Sequence, residues 1–238
     1  MCVCGWVGLF SASTERKLLL HMNGGKGERS YTNNCLLQKK LMLKAKPILE
    51  ETIMRLYRDF SPNCMKVANL GCSVGPNALL VISNIIDIVN TACTSLNREP
   101  PKFQFYLNDL FGNGFNTIFK SLPNFYTILV EDKGHKFGPC FVNATPGSFY
   151  GRLFPSNSIN LFHSSNSLHW LSQGLIEEEK LDSFNIPVYE PTVEEIRHVI
   201  EEEGSFFVQR FEILTLPWVE GLNEGGDNSF LDGNIKAR

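Results

Sequence analysis

Val67-Ala-Asn-Leu-Gly71-Cys-Ser-Val-Gly75-Pro-Asn77 is the stretch that decides the fold. Lys66 to Leu70 reads as a short apolar strand, and Gly71 to Asn77 as the turn that ends it. Leu79, Ile82, Ile86 and Val89 then fall on one face of a helix that begins near Pro76, a favoured first-turn residue. Strand, glycine turn and helix open a parallel sheet, and in open α/β sheets ligands bind beyond the carboxyl ends of the strands, near such a turn. Gly71 and Gly75 let the backbone approach a ligand without a Cβ in the way. The helix amino terminus favours a negative group such as a carboxylate. The spacing is not G-x-G-x-x-G, which argues against a dinucleotide.

Working outward, the alternation continues. Phe103 to Asn108 is a second strand ending in Asp109-Leu110, followed by a helix over Phe115 to Leu122. Cys140 to Ala144 and Ile159 to His163 are two more strands, ending in Thr-Pro-Gly-Ser148 and Ser-Ser-Asn166. Ahead of the first strand, Asn34 to Lys46 has good helix formers, with Leu37, Leu41 and Ala45 at helical spacing. Pro47 then predicts a kink or a second helix through Ile48, Ile53 and Leu56. Near the other end, Thr192-Val-Glu-Glu195 is a capping box opening a helix with Val193, Ile196, Val199 and Ile200 inward, stopped by Gly204. Phe211 to Leu216 reads as a fifth strand, and 220–238 as loop. The fold class is α/β, a Rossmann-like parallel sheet with helices on both faces. An acid such as Asp109 at the end of the second strand accepts hydrogen bonds from a ribose diol, so loop and acid together point to an adenosine cofactor.

Composition sets the class. The chain has 238 residues, 43% hydrophobic and 20% charged, with 18 phenylalanines, which is enough for a real core and against intrinsic disorder. A net charge of −3 gives no basic field to recruit nucleic acid or an anionic membrane. No apolar run approaches the ~20 residues of a bilayer span. Seven cysteines (Cys2, Cys4, Cys35, Cys64, Cys72, Cys93 and Cys140) are an odd count without C-x-x-C spacing, which fits a reducing, cytoplasmic setting. Val3 to Phe10 is apolar but no Lys or Arg precedes it, unlike a signal peptide. Residues 1–20 are read as a disordered tail, with 1–17 alternatively an artefact of gene prediction.

A rival chemistry is written in the same loop. Gly71-Cys-Ser73-Val-Gly75 matches G-x-S-x-G, the nucleophile elbow of α/β-hydrolases, and His21-Met-Asn-Gly24-Gly25 faintly echoes an oxyanion loop. Ser73 would be the nucleophile, with His198 or His163 as base. Against it, the hydrolase fold needs several strands before the elbow, and this elbow follows the first one.

Several motifs taken together resemble the plant SABATH methyltransferases. They are HMNGGKGERSYTNNCLLQKK (21–40), KPILEE (46–51), VANLGCSVGPNALL (67–80), FYLNDLFGNGFNTIF (105–119), PGSFYGRLFP (146–155), LFHSSNSLHWLSQ (161–173) and EEEKLDSFNIPVYEPTVEEI (177–196). They cover nearly the whole chain after residue 20, in family order. The resemblance implies methyl transfer from S-adenosylmethionine to a carboxylate of a small plant acid such as salicylate, benzoate or jasmonate, or to a xanthine nitrogen. It leans towards the jasmonate and salicylate types and leaves room for a homodimer.

Carried over residue by residue, the resemblance implies that Tyr31 and Cys35 meet the cofactor, Cys35 standing where Ser is usual. Asn69 stands where many members have Asp beside the methionine amino group, and Asn77 follows the loop. Asp109 would hold the ribose hydroxyls with Leu110 against adenine, and Ser148 and Phe149 would flank that ring. Gln38 and Trp170 match the side chains that hold the acceptor carboxylate, and His169 shapes that pocket. Asn166 replaces the Tyr usual in S-S-Y-S-L. Asp182, Phe184 through its carbonyl and Asn185 match a motif assigned to Mg²⁺ in some members.

The chain also departs from the family. Gln173 runs directly into Gly174, where the family has a long stretch implied to hold a further strand with its helix and part of the substrate cap. The expectation is a truncated, internally deleted member: a cofactor core over 21–173, then over 174–238 a remnant of the helical cap, one late strand and a loop-like tail. A third reading follows, a non-catalytic fragment pairing with intact homologues.

Overall fold

The computed structural model describes residues 2–5, 36–134, 137–165, 167, 192–203, 208–210 and 212. Among them five strands form one sheet: β1 (Cys2–Gly5), β2 (Cys64–Leu70), β3 (Lys102–Asp109), β4 (Cys140–Pro146) and β5 (Leu161–Ser164). Among the described residues four helices accompany them: α1 (Leu36–Asp59), α2 (Asn77–Ser95), α3 (Phe115–Lys133) and α4 (Val193–Glu203). The sheet order is β1-β5-β2-β3-β4, with every neighbouring pair parallel. The chain builds outward from β2 through β3 to β4, then returns to place β5 on the other side of β2. The β2–β5 boundary is therefore the topological switch point, where open parallel sheets bind ligands.

Side-chain chemistry explains why the layers close. Met65 and Val67 of β2 and Phe103, Phe105 and Leu107 of β3 are buried. The Phe103 and Phe105 rings, two apart on one face of a strand, stack with centroids 5.9 Å apart. Ile82, Ile85, Ile86 and Val89 of α2 and Ile53 and Leu56 of α1 join the same core, and α1 packs on α2 as α2 packs on α3. Against the expectation that no apolar run approaches a bilayer span, α2 is long and apolar enough to cross one by length and composition alone. Ten of its 19 residues are instead buried inside the fold.

Three expectations change or narrow. Cys2–Gly5, read as tail, is a strand whose Cys2 to Gly5 register with Leu161 to Ser164 of β5. At Pro47 no second helix starts: α1 runs through it, on an exposed stretch where water can serve the carbonyl that loses its donor. Likewise α3 passes Pro123 and ends eleven residues beyond Leu122, at Lys133. The strand expected over 211–216 lies outside the described residues, Glu212 excepted, and Glu212 is in no regular element. Among the described residues the sheet therefore holds four of the expected strands and β1.

The capping box of α4 forms as expected: Thr192 N–H donates to Glu195 Oε2 at 2.7 Å and Glu195 N–H to Thr192 Oγ1 at 3.3 Å. Ile196 and Ile200 turn inward.

Candidate active site

The site grows from the carboxyl ends of β2, β3, β4 and β5. After Leu70 the chain turns through Gly71 at φ +68° and Ser73 at φ +57°. A Cβ at Gly71 would stand 2.3 Å from that of Ser167 and 3.7 Å from Phe149 Cε1, so only glycine lets this loop lie against both. Cys72 N–H bonds the Asn108 carbonyl at 2.9 Å, and Ser73 N–H bonds Asp109 Oδ2 at 2.7 Å. The other oxygen of Asp109 accepts Leu110 N–H at 2.8 Å. Asn113 donates to the Ser73 carbonyl at 3.1 Å.

The neighbouring strands are fastened in the same manner. Buried Asn108 donates through Nδ2 to the carbonyls of Thr145 and Gly147, at 2.8 and 2.9 Å. Gly147 N–H returns to the Asp109 carbonyl at 2.8 Å. These bonds hold the Gly147-Ser148-Phe149 exit of β4 beside Asp109. Across the switch point Asn69 and His163 are register partners, with Asn69 Oδ1 and His163 Nδ1 2.9 Å apart. Ser164 Oγ donates to the Leu70 carbonyl at 3.3 Å and pairs with Ser167 Oγ. Burial pushes His163 down to about 4, so the ring is neutral at physiological pH. Burial, then the Asp109 carboxylate, hold the Cys72 thiol well above its ordinary range.

The sequence-derived residues divide clearly. Asn69, Asp109, Leu110, Ser148 and Phe149 stand at the strand ends around the glycine loop, and Asn77 opens α2 directly after it. Gln38 lies in the first turn of α1, its Oε1 buried without a hydrogen-bond partner among the described residues. Tyr31, Cys35, Asn166, His169, Trp170, Asp182, Phe184 and Asn185 lie outside the described residues. Among the described residues no group of three or more His, Cys, Asp or Glu could hold a metal ion. Asn108, Asn113, Ser164 and Ser167 bear on the site without having been singled out. The signal for Asn108 was present, since it is the amide next to the acid at a strand end.

The hydrolase reading finds no support in this geometry. Ser73 Oγ is buried without a hydrogen-bond partner among the described residues. His163 is spent on Asn69, and His198 is on the exposed surface of α4 beside Glu202.

The donor set suits an adenosyl group: a carboxylate with about four acceptor positions for a diol, an aromatic ring beside the glycine loop, and a helix amino terminus. Parallel sheet, switch point and this set together define an adenosyl-cofactor α/β protein. Comparison with known proteins then fixes the family. The family described as SAM dependent carboxyl methyltransferase matches residues 17–173 and 172–237, and this chain belongs to it.

The chain is 36% identical to "Probable jasmonic acid carboxyl methyltransferase 1" of Theobroma cacao, over 85% of this chain and 79% of that protein. It is 34% identical to "S-adenosyl-L-methionine:benzoic acid/salicylic acid carboxyl methyltransferase 2" of Petunia hybrida, over 88% and 83%. Among solved structures, "Loganic acid methyltransferase with SAH" superposes with a TM-score of 0.53 at 36% identity. That overlap covers 64% of this chain and 41% of the other. The alignment with the cacao protein runs over 294 positions, more than the 238 residues available here. The two family matches meet at 172–173, beside the Gln173–Gly174 junction.

Proposed function

We propose that this chain binds S-adenosylmethionine at the carboxyl ends of its strands and methylates the carboxylate of a small plant acid of the jasmonate or salicylate type. The observation that carries this reading is the convergence of Asn69, Asp109, Leu110, Ser148 and Phe149 around one glycine loop, in a chain of this family. S-adenosylmethionine supplies, when bound, an electrophilic methyl group on a cationic sulfur.

In this reading Asp109 holds the ribose hydroxyls, while Leu110, Ser148 and Phe149 enclose the adenine. Tyr31, Cys35, Asn69 and Asn77 hold the amino-acid half. Gln38 and the indole N–H of Trp170 donate to the acceptor carboxylate, and His169 shapes its pocket. A carboxylate is already nucleophilic, so no residue need act as general base. What the chain supplies is alignment and exclusion of water. In the same reading Asp182, the Phe184 carbonyl and Asn185 would hold a Mg²⁺ ion. In this reading the chain works in the cytoplasm on a small-molecule acid, without nucleic acid or membrane, and a homodimer is compatible with it.

The test pairs isothermal titration with S-adenosylhomocysteine and a radiolabelled methyl assay on salicylate, benzoate, jasmonate and a xanthine. Binding with transfer to an acid supports the reading. Binding without transfer leaves the chain a cofactor-binding fragment, and absence of binding overturns both.

A further inference from the structure

The amino-terminal strand sits where the fold leaves least reason to expect it. β1 is first in the chain yet lies at the outer edge of the sheet, parallel to β5 and in register from Cys2↔Leu161 to Gly5↔Ser164. The two family matches meet at 172–173, shortly after β5 ends at Ser164. The excess of the 294-position alignment over the 238-residue chain exceeds the ~30 residues of a strand–helix–strand unit. A right-handed crossover leaving β5 places the next parallel strand on its free side, away from β2. That side is where β1 lies.

We propose that Cys2–Gly5 is a replacement strand, closing the edge that relatives close with a strand from the stretch absent here. The position matters to the site. Without a neighbour, β5 is a four-residue edge strand with its outer N–H and C=O groups unpaired, and such edges are unstable and adhesive. β5 carries His163, which fixes Asn69, and Ser164, which binds the Leu70 carbonyl at the start of the glycine loop. Pairing with β1 on one side and β2 on the other holds those two residues from both flanks. The mode is strand addition, in which main-chain bonds provide the attachment and side-chain identity matters little. This suits a segment as unpatterned as Cys-Val-Cys-Gly.

Hydrogen exchange on the intact chain and on a chain lacking residues 1–5 tests the proposal. Amides of Phe162 to Ser164 are expected to lose at least tenfold in protection on removal of the segment, while those of β3 keep theirs. A synthetic peptide of residues 1–10, added to the shortened chain, is expected to restore protection at β5. Unchanged protection at Phe162 to Ser164 overturns the proposal. Should the shortened chain lose protection throughout the sheet, the peptide decides: recovery at β5 supports the replacement strand, and no recovery overturns it. Neither arm depends on cofactor binding, so the result is independent of the proposed activity.

Discussion

The backbone N–H of Ser73 donates to Asp109 Oδ2 at 2.7 Å, so the acid at the end of β3 grips the loop that leaves β2. Asp109 therefore has a structural duty alongside any ligand. A hydrogen bond to a charged acceptor contributes ~1.5–3 kcal/mol, and Asp109→Ala removes two, to Ser73 and to Leu110. The variant is expected to be less stable by ~2–4 kcal/mol. Asp109→Glu keeps the charge but moves it by one methylene. It should lose S-adenosylhomocysteine affinity by tenfold or more while staying folded by circular dichroism. Titration calorimetry on that variant measures the ligand contribution; unchanged affinity removes Asp109 from the cofactor site.

Gly71 offers the sharpest steric test. A methyl group there meets Ser167 Cβ at 2.3 Å, on a backbone at φ +68°. The left-handed conformation alone costs an L-residue ~1–2 kcal/mol, and the overlap must be relieved by moving the β5 exit. Gly71→Ala is expected to lower the thermal midpoint by ~4–8 °C and to reduce cofactor-product affinity at least tenfold. A midpoint within a degree of the parent would contradict this account of the loop.

What the sequence made legible follows from the range of the forces involved. β2 to β5 could be read because apolar runs ending in Gly, Asp or Ser are local signals, and the loop–acid pair Gly71 and Asp109 sits at their ends. α1 could not be read through Pro47, since the packing of Leu49, Ile53 and Leu56 on the core outweighs the one lost hydrogen bond. Cys2–Gly5 has no periodicity of its own, and its partner is far along the chain. Asn113, Ser164 and Ser167 act only through contacts that exist once the strands are side by side.

His163 makes stability depend on acidity. Its folded-state value is about 4, below the ordinary 6.5, because burial disfavours the charged ring. Between those values the unfolded chain binds a proton that the folded chain refuses. This residue therefore costs nothing above pH 6.5 and costs stability progressively as pH falls from 6.5 to 4, by up to ~3 kcal/mol. His163→Gln, which cannot titrate, is expected to show a flatter fall of thermal midpoint between pH 7 and 4.5. Parallel curves for parent and variant would refute the assignment.

Ser73 separates the two chemistries written in its loop. Its Oγ is buried without a hydrogen-bond partner among the described residues, and its φ is +57°, a conformation that an L-residue holds at a cost. A hydrolase nucleophile in this place would need a histidine on that oxygen. His163 is instead bonded to Asn69, and His198 lies exposed on α4. A fluorophosphonate probe is therefore expected to leave Ser73 unlabelled at neutral pH. Ser73→Gly relieves the backbone conformation and removes the stranded hydroxyl, against the greater chain entropy of glycine. The net expectation is a gain of ~1 kcal/mol, or ~2–4 °C in thermal midpoint, with S-adenosylhomocysteine affinity within twofold of the parent. A labelled Ser73 would reverse the choice between the two readings, because neither the alignment of a carboxylate nor the grip of Asp109 on this loop calls for a reactive serine.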